Sequence, residues 1–278
     1  MSSKRLAYDR HMAWHRGMKG DPRKIRQPRR VGVQSFERGL ALLRAFGADR
    51  ASMTTAEAAA AAGLTRAGAR RLLMTLQEQG YAHFDGKRYA LTPRVLELGF
   101  AWLSAQPLFG VGEPVAKRLA ERLNETVSIG TLDIPDVVYV VRALSSRPLH
   151  FRLGPGTRIP AHTSSMGLIL LGTLEPSQLD TFFKQWPRRR YTDRTPVEES
   201  EVRALIQAAG RDGFCYLRGV MEDSIAGLSV PVRDRTKGRA IAALNVSTSL
   251  QRTSPEDAIG KLLPELRAAA ASIEAALR

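Results

Sequence analysis

The stretch TTAEAAAAAGLTRAGARRLLMTLQEQG, residues 54–80, limits the fold more than any other part of the chain. It holds two short helical patterns separated only by Gly63, Leu64 and Thr65. Thr54 or Thr55 can cap the first helix, and Gly63 suits the left-handed residue at its end. Thr65 caps the second, residues 66–79, which stops at Gly80. On that helix Ala69, Leu72, Leu73 and Leu76 make one apolar stripe. Arg66, Arg70 and Thr75 lie off the stripe, with Arg71 toward its flank. The small side chains of Ala58, Ala59 and Ala62 let the two helices cross closely. Two short helices joined this tightly form a helix-turn-helix.

A supporting helix is expected before this pair, because Phe36, Leu40, Leu43 and Phe46 recur at helical spacing and Gly47 stops the run. YAHF-DG-KRYAL follows the pair as a hairpin, its Asp-Gly suited to a type I′ turn. A winged unit of this kind presents the polar N-terminal face of its second helix to the major groove. The hairpin steadies it on the phosphate backbone, which contributes affinity rather than sequence reading. Thr65 and Arg66 are therefore expected at base edges, with Arg70 also in reach. Arg38, Thr55, Arg71, Lys87 and Arg88 are expected in phosphate contact or docking. The alternative is a small helical domain with a solvated basic face.

Charge supports the first reading. The net charge is +15, and residues 1–94 carry 19 Lys and Arg against 7 Asp and Glu, whereas the remaining residues carry 23 against 20. Positive charge gathered in one third of a chain is the footprint of a polyanion binder. Residues 1–30 hold 10 basic and 2 acidic residues with little apolar periodicity, and read as a basic, mostly disordered arm. No apolar run approaches the ~18 residues of a membrane helix. The N-terminus lacks the apolar core of a secretory signal. A cytoplasmic setting without membrane association is expected. The single cysteine, Cys215, lies between Phe214 and Tyr216 and reads as a core filler. It excludes a disulfide framework and a cysteine zinc site. The five histidines show no tight metal spacing, so neither metal nor cofactor is expected.

Beyond the winged unit, 31–92, a linker helix is expected over 93–107, packing through Val95, Leu96, Leu98 and Leu103. Residues 108–278 read as an α+β domain. Helices are expected at 111–124, 165–174, 176–185, 198–210 and 254–277. Strands are expected near 126–132, 137–143, 149–153, 213–219, 227–233 and 240–247. Residues 154–167 read as a polar loop. Hairpin-like strands with flanking helices predict an antiparallel sheet. No nucleophile elbow, phosphate loop or zinc-protease motif is present. His162 beside Ser164 and Ser165 lacks an acidic orienter and the separation that a triad needs.

These residues carry a family resemblance. VQSFERGLALLRAF, TRAGARRLLMTL, the wing and LTPRVLELG resemble the IclR-type bacterial transcription regulators. VYVVR, GTRIPAHTSSMG, GLSVPVRD and AALNVST follow in that family's order, so the resemblance covers about residues 31–275. TRAGARRLLMTL with LTPRVLELGF resembles the subgroup that controls the beta-ketoadipate pathway, whose members answer to protocatechuate, 4-hydroxybenzoate or beta-ketoadipate. The resemblance implies a winged DNA-binding domain, a linker helix and a C-terminal effector-binding domain. It also implies dimers, often paired as tetramers; on double-stranded operator DNA, effector binding is then expected to change DNA affinity or RNA polymerase recruitment.

By the same resemblance the effector pocket is walled by Ser164, Ser165 and Met166 on one side and by Asn245 and Ser247 on a strand. Their hydroxyls and amide suit effector oxygens, and free amides at a helix start favour a carboxylate. Where the family commonly has an acidic residue, this chain has Leu217-Arg218. Arg218 is thus a candidate partner for an effector carboxylate, and Arg158 is a second. The reading is a DNA-binding regulator, not an enzyme, that senses a small aromatic or related organic acid and controls catabolic genes. An organic-acid enzyme with a fused DNA-binding domain and a ligand-independent DNA binder are the rivals.

Overall fold

The computed structural model describes residues 32–47, 49–146 and 154–277. The basic arm at 1–30 and the strand expected at 149–153 lie outside the described residues. The chain divides into two units, Met1–Val95 and Leu96–Arg278. The short 3-10 turn Pro93–Val95 thus groups with the first unit, and the helix that follows it with the second.

In the first unit, helix α1 (Gln34–Ala45), α2 (Thr55–Ala62) and α3 (Arg66–Glu78) pack against a small antiparallel sheet. Its strands are β1 (Ser52–Met53), β2 (Ala82–Phe84) and β3 (Tyr89–Leu91), in the order β1-β3-β2. Thr54, not Thr55, caps α2: its hydroxyl accepts from the Glu57 amide, and the Glu57 carboxylate accepts from the Thr54 amide. Gly63, at φ 67°, ends α2, with the Leu64 amide bonded back to Ala59 O. Gly80, at φ 78°, ends α3 in the same way, with Tyr81 N bonded to Leu76 O. The core holds Leu42, Ala45, Met53, Ala58, Leu73, Ala82 and Tyr89.

Two expectations change here. Helix α1 buries Leu42 and Ala45, while Phe36 is 68% exposed. Both sets recur at helical spacing, and periodicity cannot say which of two apolar stripes meets a neighbour. The wing turn is not type I′. Phe84 pairs with Tyr89, and positive φ falls on Gly86 (97°) but on neither Asp85 nor Lys87. A type I′ turn requires it at both central residues. The short β1, which pairs with β3, has too few residues to leave a periodic signal.

The second unit opens with α4 (Leu96–Ser104) and α5 (Pro107–Leu123). Pro107 occupies the first turn of α5, where its fixed φ and missing N–H are tolerated. The helix therefore begins earlier than its interior Gly110, Gly112 and Pro114 suggest. Six antiparallel strands run in the order β6-β5-β4-β9-β8-β7. They are β4 (Thr126–Asp133), β5 (Asp136–Ala143), β6 (Arg158–Pro160), β7 (Cys215–Arg218), β8 (Ile225–Arg233) and β9 (Ala240–Ser249). Strand β6 lies within the stretch expected to be loop. One face of the sheet packs on α5 and on α10 (Leu263–Ala276) through Val127, Ile129, Val141, Leu228, Val230, Leu244, Val246, Leu266 and Ile273. Before α10 come the short α9 (Pro255–Asp257) and a π turn, Ala258–Leu262, so the expected helix 254–277 is not continuous.

The other face carries α6 (Ser165–Leu171), buried along its whole length, and behind it α8 (Glu199–Asp212). Helix α7 (Pro176–Gln185) lies between them in sequence. Gly167 permits the approach of α6 to the 3-10 turn Ala161–Thr163: a Cβ there would lie 2.0 Å from Ala161 O. Among the described residues no helix is long and apolar enough to cross a membrane.

Candidate nucleic-acid interface and effector site

Helix α3 faces the core with Ala69 and Leu73 and leaves Thr65, Arg66, Arg70 and Arg71 exposed. At about 100° per residue, Arg71 points farther from the Ala69–Leu73 stripe than Arg66 or Arg70, so it belongs to the outward face rather than the flank. The Thr65 hydroxyl accepts from Gly68 N at 3.1 Å. It caps the helix and keeps its own proton to donate. Arg38 is exposed on α1 and engaged in an interaction of its own. Thr55 is half-buried at the first turn of α2.

The two basic wing residues differ. Lys87 is exposed. Arg88 turns back into the unit, its Nε donating to Ser52 Oγ at 3.0 Å and its Nη2 to Ser52 O at 2.9 Å and Glu57 Oε2 at 2.7 Å. Arg88 thus docks the wing on β1 and α2, and its charge is shared with Glu57. The Asp85 carboxylate accepts from the amides of Arg88 (2.7 Å) and Lys87 (2.8 Å), which hold its pKa below the usual range.

In the second unit the expected effector residues meet in part. Asn245 Nδ2 donates to Ser229 Oγ (3.0 Å), Ser165 Oγ (3.2 Å) and Leu228 O (3.2 Å). The hydroxyls of Ser165 and Ser229 lie 2.7 Å apart. Ser247 Oγ donates to Asn245 Oδ1 at 2.8 Å. Asn245, Ser165 and Ser229 are buried; Ser247 is half-buried. Gly227 leaves room for this network, since a Cβ there would stand 3.0 Å from Ser165 Oγ and 3.2 Å from Asn245 Nδ2. Ser164 caps α6, accepting from Gly167 N. Met166 packs on the sheet over Gly130, where a Cβ would stand 3.0 Å from its sulfur.

Arg158 and Arg218 do not join this network. Arg158 donates to Asp133 Oδ2 (2.5 Å) and Asp136 Oδ2 (3.0 Å), so its charge is already matched by two carboxylates. Arg218 is exposed, and it alternates with Cys215 and Leu217 along β7. Cys215 pairs with Ser229 and so shares the face of Asn245; Arg218 points from the opposite face. His162 is also apart from the serine hydroxyls. Its Nε2 contacts Arg189 O at 3.2 Å, and burial lowers its pKa.

The sequence reading missed Ser128, Arg142 and Ser229, which sit level with Asn245. The register pairs Arg142 with Ser128, Ser128 with Asn245, and Asn245 with Ser229. A usable signal was present: each is a polar residue between apolar neighbours, in VSI, VRA, LSV and LNV. Four such interruptions in four strands of one sheet make a polar row across a buried face.

Two family descriptions match this chain: the IclR helix-turn-helix domain over residues 35–86 and the bacterial transcriptional regulator IclR C-terminal domain over 100–275. The chain belongs to the IclR family of bacterial transcriptional regulators. It is 34% identical to the Pca regulon regulatory protein of Pseudomonas putida over 85% of this chain and 81% of that relative. To the p-hydroxybenzoate hydroxylase transcriptional activator of Acinetobacter baylyi it is 32% identical, covering 84% of this chain and 88% of that protein. Among solved structures, an IclR homologue from Microbacterium hydrocarbonoxydans, in complex with 4-hydroxybenzoate, superposes with a TM-score of 0.77 at 26% identity, over 88% of this chain and 99% of its own. In an IclR regulator the helix-turn-helix serves DNA binding and the C-terminal unit takes a small-molecule effector.

Proposed function

We propose that this IclR regulator binds a palindromic operator in double-stranded DNA and changes the expression of catabolic genes when its C-terminal unit takes up a small aromatic or related organic acid. The observation that carries the reading is the buried network of Ser165, Ser229, Asn245 and Ser247. Polar groups inside an apolar domain cost stability unless paired. Here they offer neutral donors and acceptors that suit a hydroxylated ring. The likeness to regulators of the Pca regulon and of p-hydroxybenzoate hydroxylase, and the 4-hydroxybenzoate complex of a homologue, support the same effector class.

On DNA, Thr65, Arg66 and Arg70 on α3 contact base edges, and Arg71 joins them from the outward face. Lys87 and Arg38 lie on phosphates, Thr55 braces the start of α2, and Arg88 holds the wing in place. Self-association as a dimer, paired into a tetramer, is supported by α4, whose Leu96, Leu98, Phe100 and Trp102 are all exposed in the single chain. Apolar side chains gathered in water on one helix favour a partner surface that covers them. Effector binding favours one arrangement of the dimer and so alters operator affinity or RNA polymerase recruitment. The setting is the bacterial cytoplasm.

A thermal-shift screen of the purified protein tests this function. Protocatechuate, 4-hydroxybenzoate, beta-ketoadipate and unrelated organic acids are the ligands. A saturable rise in midpoint with an acid of the first group, by preferential binding to the folded form, is expected. No shift with any of them overturns the effector class.

A further inference from the structure

The polar row on the α6 face ends in a cation. Arg142, Ser128, Asn245 and Ser229 are direct cross-strand partners, so their side chains rise from one side of the sheet. The Arg142 guanidinium lies 5.1 Å from the centre of the Tyr139 ring, and its Nη1 reaches Ser128 Oγ only at 3.5 Å. Its Nε is buried and has no hydrogen-bond partner. Among the described residues no carboxylate lies within ion-pair distance of it. Other arginines of this unit have their donors met: Arg158 holds Asp133 and Asp136, Arg203 holds Asp180 and Glu199, the exposed Arg252 holds Glu125, and half-buried Arg188 donates to Val197 O and Phe183 O. A guanidinium keeps its charge in any protein environment. Leaving one of its donors buried without an acceptor is costly unless something else supplies it.

We propose that Arg142 anchors the carboxylate of the effector, an assignment that rests on the aromatic-acid reading above. The carboxylate accepts from the Nε edge of the guanidinium fork, a charge-assisted geometry that arginine provides and a lysine cannot reproduce. The ring lies along the row, and its hydroxyl meets the Asn245–Ser247 end. Two strand spacings, about 10 Å, separate the Arg142 backbone from that of Asn245. The row therefore has a cation at one end and neutral hydrogen-bonding groups at the other, which is the polarity of a hydroxybenzoate. Neither Arg158 nor Arg218 can take this role, since one is already paired with two carboxylates and the other faces away.

The test is titration of the full chain with 4-hydroxybenzoate and protocatechuate, each beside its uncharged amide, by calorimetry. The wild type should prefer each acid to its amide. Arg142→Gln should weaken acid binding roughly 10- to 100-fold and remove the preference, while amide binding changes little. Arg142→Lys should keep part of it. Undiminished acid preference in Arg142→Gln overturns the assignment and leaves the aromatic-acid reading standing. A wild type that takes acid and amide equally overturns it without recourse to any variant, so a Gln variant that fails to fold does not block the test. A wild type that binds neither acid overturns the reading and the assignment together.

Discussion

Arg88 Nη2 lies 2.7 Å from Glu57 Oε2, so a basic residue of the wing grips the first helix of the helix-turn-helix. Glu57 is the same residue that closes the capping box on Thr54. Its pKa is lowered, first by the Thr54 backbone hydrogen bond and then by the Arg88 charge. One carboxylate therefore ties the start of α2 to the wing. The two wing cations should separate in experiment. Lys87→Ala should flatten the slope of log affinity against log salt by about 0.9, the loss of one phosphate contact. Arg88→Ala should lower the melting midpoint and weaken operator binding while changing the slope less. Equal slope changes in the two variants would refute the docking role.

Arg66, Arg70 and Arg71 stand exposed on α3 without competing for the core. Arg66→Ala should cost roughly 1–3 kcal/mol on the operator and relax preference at one base position. Its effect on random duplex should be smaller. Competition binding against a randomised operator library reads both numbers, and equal losses on specific and random DNA would remove Arg66 from base reading.

Asn245 Nδ2 serves three acceptors, two of them the hydroxyls of Ser165 and Ser229. Asn245→Ala leaves those buried groups short of a partner and should destabilise the C-terminal unit by about 1–3 kcal/mol. The effector-induced rise in midpoint should fall with it. Because Ser165 belongs to the same network, adding Ser165→Ala should cost less than the sum of the two single changes. Denaturant titrations of the three variants check this, and strict additivity would argue that the contacts do not act together.

Leu96, Phe100 and Trp102 are 73%, 62% and 48% exposed on α4, where Glu97 and Ser104 are the only polar side chains. A Phe100→Glu, Trp102→Glu double variant should shift the protein to a lower oligomeric state in light scattering while its circular dichroism is kept. An unchanged mass would place the self-association surface elsewhere.

Burial lowers the pKa of His162, whose Nε2 faces Arg189 O. The folded state thus disfavours the imidazolium, and the unfolded chain binds the proton more readily. The stability from neutral His162 is present above the unfolded value near 6.5 and is lost as pH falls through and below it. Urea midpoints should therefore decline from pH 7.5 to 5.5, and His162→Gln should decline less. Parallel declines in both proteins would assign the pH response to other groups.

Much of the DNA-binding unit is legible in the chain itself, because its determinants are local. A cap at Thr65, left-handed glycines at 63 and 80 and an apolar stripe at helical spacing act over a few residues, and each appears in the fold where the pattern puts it. Segments whose identity depends on a distant partner are different. Phe36 and Leu42 both sit on a helical period, and only packing against α2 and α3 decides that Leu42 is inside. Strands β1 and β6 are two and three residues long, too short to show alternation, and exist because β3 and β5 offer hydrogen-bonding edges.

The effector site divides in the same way. Single polar residues inside the apolar strands are visible in the sequence at Ser128, Arg142, Ser229 and Asn245. Their meeting is not, because side chains spread over more than a hundred residues share a row only through the strand register. Tertiary structure also decided the fate of the charges. Arg158, Arg142, Arg218 and Arg88 carry the same group in the sequence. The fold pairs Arg158 with two carboxylates, leaves Arg142 without an acceptor at Nε, points Arg218 away from the site and turns Arg88 into a clasp. Charge is a property of composition, but what a charge is free to do depends on which groups the fold brings within a few ångströms of it.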